Sequence, residues 1–312
     1  MLPMTFPFHI FRNVPTFDFI GYRKVGFAIT FIGTIATIVS LSVNGLNFGI
    51  DFSGGVVMEV RTEQTTDIAK MRTLLETPQT KNASLQSVGA DGKQVLIRLK
   101  PAGDEAQAQV AQTVRTALDA GYGAPIDYLR TDYVGPQVGG ELIRGSFYAL
   151  GFAMLAMALY LWFRFEWQYG VGGILALLHD AILTIGFYSV TGIEFNLTSV
   201  AAVLTVIGYS INDSVVIYDR VRENLRKYKV RPVGDVLNLA VNETLGRTFL
   251  TGGTVLMALI GLVVLGGDVL FGFSAAMIFG VIVGTFSSIY VSSTILIYLH
   301  LRRSELADVK AS

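Results

Sequence analysis

The sequence predicts a polytopic α-helical membrane protein. Six transmembrane helices are arranged as one and then five, with one ferredoxin-like α+β periplasmic domain between the first and the second. Two observations lead to this prediction. Of the 312 residues, 52% are hydrophobic and only 15% are charged, whereas soluble globular chains carry about 25% charged residues. The chain also contains six apolar runs close to the roughly 20 residues that cross a bilayer as a helix.

The first apolar run extends from Val25 to Val43, directly after two basic residues. We place transmembrane helix 1 at residues 23–43, behind a cytoplasmic segment at 1–22. A secretory signal peptide is the alternative, but its apolar core is shorter, about 7–15 residues, and an Ala-x-Ala-like site follows it. This run is longer and continues into Asn44-Gly45, so it is predicted to remain as a span.

The other five apolar runs fall within residues 146–300, ahead of a cytoplasmic tail at 301–312. They are approximately Ser146–Phe163, Gly170–Val190, Asn196–Tyr218, Thr248–Leu265 and Phe271–Tyr298. Short cytoplasmic loops are rich in Lys and Arg. Seven such residues lie in the predicted loop Asp219–Arg247, and none lies in the connectors Thr191–Phe195 and Gly266–Leu270. Both termini are therefore expected in the cytoplasm of a bacterial cell, and the intervening domain outside the inner membrane.

The segment at 44–145 is predicted to form the α+β domain. Strands alternate with helices in the order β-α-β-β-α-β, which is the ferredoxin-like arrangement. That fold supports many functions and identifies none. The predicted strands are Val56–Arg61, Leu85–Val88, Val95–Leu99 and Ile126–Val134, and the predicted helices are Thr66–Glu76 and Asp104–Ala120.

Composition argues against several classes of function. The formal net charge is +0, so nothing favours a nucleic-acid partner. The absence of cysteine excludes a disulfide framework and Cys-ligated zinc. The three histidines are far apart in the sequence, so no multi-histidine metal site is expected, and no cofactor is predicted.

Two acids lie within the apolar runs, Asp180 and Asp213, and Arg247 stands at the entrance to the fifth span. A charge at the centre of a span costs roughly 2.5–3.5 kcal/mol on insertion scales, so intramembrane acids usually have a function. Asp213 is flanked by Ser210, Asn212 and Ser214, which could hydrate it or hydrogen-bond to it.

Asp213, Arg247 and Asn212 are therefore the candidate proton-coupling residues. Burial favours the neutral acid and a nearby arginine favours the anion, so small movements can change the protonation of Asp213. Ionised Asp213 would pair with Arg247, and protonated Asp213 would release it. The alternatives are a static ion pair between two helices, or Arg247 reaching the lipid headgroups.

His179 and Asp180 could relay protons within the third span. Adjacent helical residues diverge by about 100°, so the two side chains are not expected to share one face. A polar pair that packs helices is the alternative.

Glycine-rich segments are predicted to be structural. Gly280 and Gly284 form a small-xxx-small face for close helix packing. Gly49, Asp51, Gly54 and Gly55 belong to a Gly-rich stretch that lacks the Walker pattern of a phosphate-binding loop. A structural turn is therefore expected there.

Several motifs together resemble the SecF subunits of the SecD/SecF family, within the resistance-nodulation-division superfamily. The similarity covers nearly the whole chain. The motifs are GIDFSGG (Gly49–Gly55), Val134-Gly135-Pro136 through Glu141-Leu142, Leu178-His179-Asp180, VIGYSINDSVVIYDRVREN (Val206–Asn224) and Glu243–Thr248. One departure is Gly at positions 246, 252 and 253, where Ser and Thr are common in relatives. It leaves open the packing around Arg247.

The resemblance implies a function in protein export and no enzymatic activity. The family's membrane carboxylate falls on Asp213 and its functional arginine on Arg247. The implied partners are SecD, which supplies a similar half-bundle with another acid, the SecYEG translocon, the preprotein and protons. Membrane lipids are expected against the basic stretch Asp219–Arg231.

Three alternatives remain at the level of sequence. An efflux subunit of the same superfamily would usually need two large outer domains per half, and this insert is about 100 residues, near the lower range for one domain. An intramembrane aspartyl protease would use Asp180 and Asp213 as a dyad close enough to share a proton, but its Gly-x-Gly-Asp motif is missing. The third alternative is a purely structural scaffold.

Overall fold

The computed structural model describes residues 14–77, 80, 83–88, 91–99, 107–299 and 301, without the side chains of residues 107, 136, 268 and 269. In chain order the elements are α1 (Arg23–Val43), α2 (Ile50–Ser53), β1 (Gly55–Thr62), α3 (Ile68–Leu74), β2 (Ser84–Val88), β3 (Gln94–Leu99), α4 (Gln107–Gly121), β4 (Ile126–Val134), α5 (Pro136–Arg164), α6 (Trp167–Thr191), α7 (Leu197–Lys227), α8 (Val233–Leu265), α9 (Gly267–Ser287), a π-helical segment (Ser288–Ser293) and α10 (Thr294–Tyr298).

Six helical segments of the described chain are long and apolar enough to cross a membrane, which confirms the predicted number. They are α1, α5, α6, α7, α8 and the continuous helix formed by α9, the π-helical segment and α10. Of these, α7 is the most buried and α5 the most exposed. An exposed apolar helix in a membrane bundle faces lipid or another subunit, so α5 lies at the edge of this bundle and α7 at its centre.

The α+β domain contains one four-stranded sheet in the order β2-β3-β1-β4, with every neighbouring pair antiparallel. Alternate residues point to one face, as expected of strands, and there they form a hydrophobic core with α3 and α4. The core residues include Val56, Met58, Val60, Val95, Ile97, Leu99, Met71, Val114 and Leu118. The four predicted strands and two helices are present in the predicted order. The predicted start of the second helix, at Asp104, lies outside the described residues.

The predicted long loop Asp219–Arg247 is wrong. Helix α7 continues to Lys227 and α8 begins at Val233, so only five residues connect them. Hydropathy indicates only where a helix leaves the apolar layer of the membrane. Helices α7 and α8 continue beyond that point because their polar residues form hydrogen bonds with each other. Glu243 on α8 accepts hydrogen bonds from Arg220 at 2.7 Å and from Asn224 at 2.6 Å, both on α7.

Small residues bring α9 close to α7, as the sequence predicted. A Cβ atom on Gly280 would overlap the side chain of Val206, and one on Gly284 would lie 3.1 Å from Cβ of Ser210. Without a hydrophobic driving force between helices in lipid, such close backbone approach is a main source of association. The contact holds α9, which carries Ser287, against α7, which carries Ser210 and Asp213.

The chain ahead of α1 is attached to α8. The amide of Phe17 donates to Oδ1 of Asn242 at 2.9 Å, and its carbonyl accepts from Nδ2 of Asn242 at 2.8 Å and of Asn238 at 2.9 Å. Asn242 is buried. These bonds satisfy backbone groups of an irregular segment, which would otherwise depend on solvent.

Candidate functional site

Asp180 lies at the junction of α6, α7 and α9, and its side chain is fully buried. Its Oδ2 accepts a hydrogen bond from the hydroxyl of Ser210 on α7 at 2.5 Å and another from Ser287 on α9 at 2.7 Å. Its Oδ1 lies 2.9 Å from Nδ1 of His179. Both oxygens therefore have partners, and the carboxylate connects three helices.

His179 and Asp180 are in contact, although their side chains were not expected to share one face of the helix. Their Cβ atoms do diverge around the helix, but rotation about the side-chain bonds brings Nδ1, the ring nitrogen nearer the backbone, to the neighbouring carboxylate. Nε2 of His179 is buried and has no hydrogen-bond partner among the described residues. The pair therefore remains a candidate relay, although its contacts also fit a role in helix packing.

Asp213 lies one turn beyond Ser210 on α7 and is only 3% exposed. Its Oδ2 is buried without a hydrogen-bond partner among the described residues. The flanking polar residues do not supply one, contrary to the expectation from sequence. The hydroxyl of Ser210 is directed to Asp180. Asn212 is exposed, since adjacent helical residues point about 100° apart and Asn212 does not share the buried face of Asp213. Asp213 is thus a buried acid whose Oδ2 has no hydrogen-bond partner in the part of the chain that the structure describes.

Arg247 lies about four turns into α8 and is exposed on the surface of the bundle. No ion pair within 4.0 Å joins its side chain to that of Asp213, and among the described residues Arg247 forms none elsewhere. In this conformation the proposed pair is therefore separated.

Tyr209 is a neighbour of Asp213 that the sequence analysis missed. It precedes Asp213 by four residues on α7, so both lie on the same face of the helix. Its hydroxyl would be 3.4 Å from a Cβ atom on Gly252, and it has no hydrogen-bond partner among the described residues. Gly252 on α8 therefore leaves space for the phenol ring of Tyr209. The i, i+4 spacing of Tyr209 and Asp213 was the signal in the sequence that could have identified this neighbour.

The Gly-rich stretch at Gly49–Gly55 forms α2, a single helical turn, followed by two glycines with positive φ. Gly54 has φ of 69° and Gly55 of 135°, which L-residues with side chains rarely adopt. Oδ2 of Asp51 accepts from the amide of Leu197 at 3.0 Å, the first amide of α7. A carboxylate at a helix N-terminus satisfies an orphan amide and favours the helix dipole. The structural turn expected at Gly49–Gly55 is thus hydrogen-bonded to α7, the helix that carries Asp213.

The α6–α7 loop (residues 192–196) contacts the α+β domain as well. Glu194 forms an ion pair with Nη2 of Arg98 on β3, and Nη1 of Arg98 donates to Gln86 on β2 at 3.0 Å. Burial raises the pKa of Glu194, and the Arg98 guanidinium opposes that rise. The two side chains are only 24% and 20% exposed, so each depends on the other for compensation of its charge.

The two membrane acids do not form a catalytic dyad. The hydrogen bonds of Asp180 go to His179, Ser210 and Ser287, and no described hydrogen bond joins Asp180 to Asp213. An aspartyl protease needs two carboxyl groups that share a proton. Within the described residues there is also no cluster of three or more His, Asp or Glu that could hold a metal ion.

Comparison with known proteins identifies the family. The family model described as "Protein export membrane protein SecD/SecF, C-terminal" matches residues 114–302. A second model, "SecD/SecF GG Motif", matches residues 39–66, which include α2 and its two glycines. The chain belongs to the SecD/SecF family. Within the family it is of the SecF type, as the following relatives show.

Two SecF relatives come from Rickettsia felis and Rickettsia bellii, and each is named protein translocase subunit SecF. Both are 42% identical to this chain over 291 residues, which is 93% of the chain and 94% and 96% of the relatives. The relatives are translocase subunits and not enzymes. With its six apolar helices, this SecF-type chain is a multi-pass membrane subunit of the Sec translocase.

Solved SecDF structures have the same fold over most of the chain. SecDF from Thermus thermophilus, described as a translocon-associated membrane protein, matches with a TM-score of 0.80 and 35% identity over 92% of this chain. SecDF in a super-membrane-facing form matches with a TM-score of 0.69, also at 35% identity. The SecF-type chain spans 39% and 40% of the lengths of these two SecDF chains.

Proposed function

We propose that this subunit works with SecD to use the proton-motive force for preprotein export through the SecYEG translocon. It would lie in the bacterial inner membrane with both termini in the cytoplasm. The α+β domain, ferredoxin-like in its strand order, would lie in the periplasm. The observation that carries the proposal is Asp213, a buried acid on the central helix α7 without a hydrogen-bond partner among the described residues.

A buried carboxylate without partners is costly, so it is neutralised by a proton or by an opposite charge. Both routes are open to Asp213. A proton neutralises it in the separated arrangement of this structure, and Arg247 would neutralise it if α7 and α8 moved so that the two side chains met. Exchange between these arrangements links proton uptake to helix movement.

Arg247 and Asn212 support an assembly with a second half-bundle. Both are exposed on transmembrane helices, where a charged or polar side chain facing lipid is unfavourable. The solved SecDF chains that match this fold are more than twice as long as this chain. We infer that SecD covers this surface and contributes a further acid.

The energy available is sufficient to bias such a switch. Moving one elementary charge across 100 mV supplies about 2.3 kcal/mol. That amount changes the ratio of two states by more than tenfold, since each 1.4 kcal/mol corresponds to a factor of ten. A complete switch would need more than one charge or a larger potential.

The test is preprotein translocation into inverted vesicles that contain the assembled complex, with and without a proton gradient. Asp213→Asn should lose the gradient-stimulated fraction and keep assembly. Asp219→Asn is the matched control, because Asp219 is an exposed acid further along the same helix. Full stimulation in Asp213→Asn would contradict the proposal and leave a structural scaffold as the better explanation.

A further inference from the structure

The geometry points to a mechanical link between the membrane bundle and the α+β domain. We propose that the ion pair of Arg98 and Glu194 locks the domain onto the α6–α7 loop, so that movement of α7 carries the domain with it. This inference rests on the proposed function, because it supplies the route by which a change at Asp213 reaches the domain. It makes Arg98 and Glu194 positioning residues for export.

The first part of the link is α7 itself. The helix is unbroken from Leu197 to Lys227, and Asp213 lies roughly four turns from its first residue. At that first residue, the amide of Leu197 donates to Asp51, and Asn196 caps the helix through Ser199. A displacement of α7 therefore also displaces the α6–α7 loop and the GG-motif turn to which it is bonded.

The second part joins the α6–α7 loop to the chain that leaves α1. The amide of Gly49 donates to the carbonyl of Phe195 at 2.9 Å, and the amide of Phe195 donates to the carbonyl of Asn47 at 2.8 Å. The rings of Phe48 and Phe52 pack against Phe195, at centroid distances of 6.1 and 5.8 Å. These contacts hold residues 47–52, which precede the sheet, and do not reach the sheet itself.

The sheet is connected to the bundle through glycine at both ends. Gly54 stands between α2 and β1, and Gly135 stands between β4 and α5. Glycine gives a connection more conformational freedom than any other residue. Without a further contact, the sheet could change its orientation at these glycines while the loop moved.

The ion pair supplies that contact. Arg98 lies on β3, which pairs with both β1 and β2, so it belongs to the interior of the sheet. Its planar guanidinium binds Gln86 through one nitrogen and Glu194 through another, and such two-point binding fixes orientation better than a lysine would. Because the pair is only partly exposed to solvent, removal of one partner leaves the charge of the other poorly compensated, so the pair resists reorientation at the glycines.

The test uses the full SecDF complex in inverted vesicles and measures the gradient-stimulated fraction of translocation. Arg98→Glu should reduce this fraction to the level of Asp213→Asn, and the reversed pair Arg98→Glu with Glu194→Arg should restore most of it. Arg61→Ala is the matched control, because Arg61 forms an ion pair with Asp91 within the same domain and, among the described residues, forms no ion pair with the bundle. It should match the wild type.

A reversible crosslink separates a positioning role from a simple loss of folding. The chain has no cysteine, so Arg98→Cys with Glu194→Cys can be joined by a bis-methanethiosulfonate reagent with a flexible spacer. The free double variant should lack gradient stimulation, the crosslinked form should regain it, and reduction should abolish it again. Full stimulation without the crosslink, or no recovery with it, would overturn the inference.

Failure of this inference and failure of the proposed function give different results. If Asp213→Asn loses gradient-stimulated translocation while the variants of Arg98 and Glu194 keep it in full, only the mechanical link is refuted. If Asp213→Asn itself keeps full stimulation, the proposed function fails first, and the link loses its role with it.

Discussion

Gly280 allows the closest approach between α9 and α7, so substitution there tests the packing of the bundle. In Gly280→Ala, the new Cβ atom would overlap Cγ2 of Val206 on α7. Valine has one strongly preferred rotamer in a helix, so its side chain cannot rotate away cheaply. The two helices must therefore separate.

The magnitude follows from two opposing terms. Overpacking a well-packed interior costs about 1–3 kcal/mol, while replacing glycine by alanine in a helix favours folding by about 0.5–1 kcal/mol. Gly280→Ala should thus be destabilised by about 1 kcal/mol, and by at most about 2.5 kcal/mol. The matched control is Gly208→Ala on α7, where a Cβ atom would meet nothing within 4 Å. This variant should be as stable as the wild type or slightly more stable.

The assay is reversible denaturation in detergent, followed by tryptophan fluorescence, with all variants at the same detergent concentration. Val206→Ala combined with Gly280→Ala should recover part of the loss, because the two side chains contact each other directly. The reasoning would be refuted if Gly280→Ala were as stable as Gly208→Ala, or if the double variant showed no recovery.

Two further predictions concern buried polar contacts. Asp180→Ala removes the acceptor of the buried Ser210 hydroxyl and one of the two acceptors of Ser287 and should cost about 1–3 kcal/mol, whereas Asp219→Ala breaks an exposed ion pair and should cost at most about 1 kcal/mol; equal losses in denaturation would contradict the assigned role of Asp180. Asn242→Ala removes two of the three hydrogen bonds that hold Phe17 and should speed tryptic cleavage after Arg23, and an unchanged cleavage rate would argue against this attachment.

The sequence predicted the number of spanning helices because apolar runs of that length have few other structures open to them. It did not predict where the helices end. Polar residues between Asp219 and Arg247 were expected in a loop, yet they extend α7 and α8 through contacts across the two helices, such as Glu243 with Arg220. Hydropathy does not contain that information.

The candidate acids were visible in the sequence, but their partners were not. Asp180 bonds to Ser210 and Ser287, and Ser287 follows it by 107 positions in the chain. Arg98 and Glu194 are also far apart in sequence. Helical spacing predicts only which residues of one helix share a face, so contacts between elements require the fold.

The predicted pairing of Asp213 with Arg247 remains a prediction. The structure has both side chains on neighbouring helices without an ion pair within 4.0 Å, which fits one of the two arrangements that the switch requires. The other arrangement needs a movement of α7 against α8. Gly252 is the residue of α8 that lies beside the Tyr209 hydroxyl of α7, at the contact that this movement would change.

The central claim is that Asp213 takes up and releases a proton. The most direct measurement is infrared difference spectroscopy of the SecDF complex in membranes, following the carbonyl stretch of a protonated carboxylic acid as pH changes. We expect one titrating component of this band to be present in the wild type and in Asp219→Asn and to be missing in Asp213→Asn. A titrating band of the same intensity in the wild type and in Asp213→Asn would contradict the proposed role of Asp213.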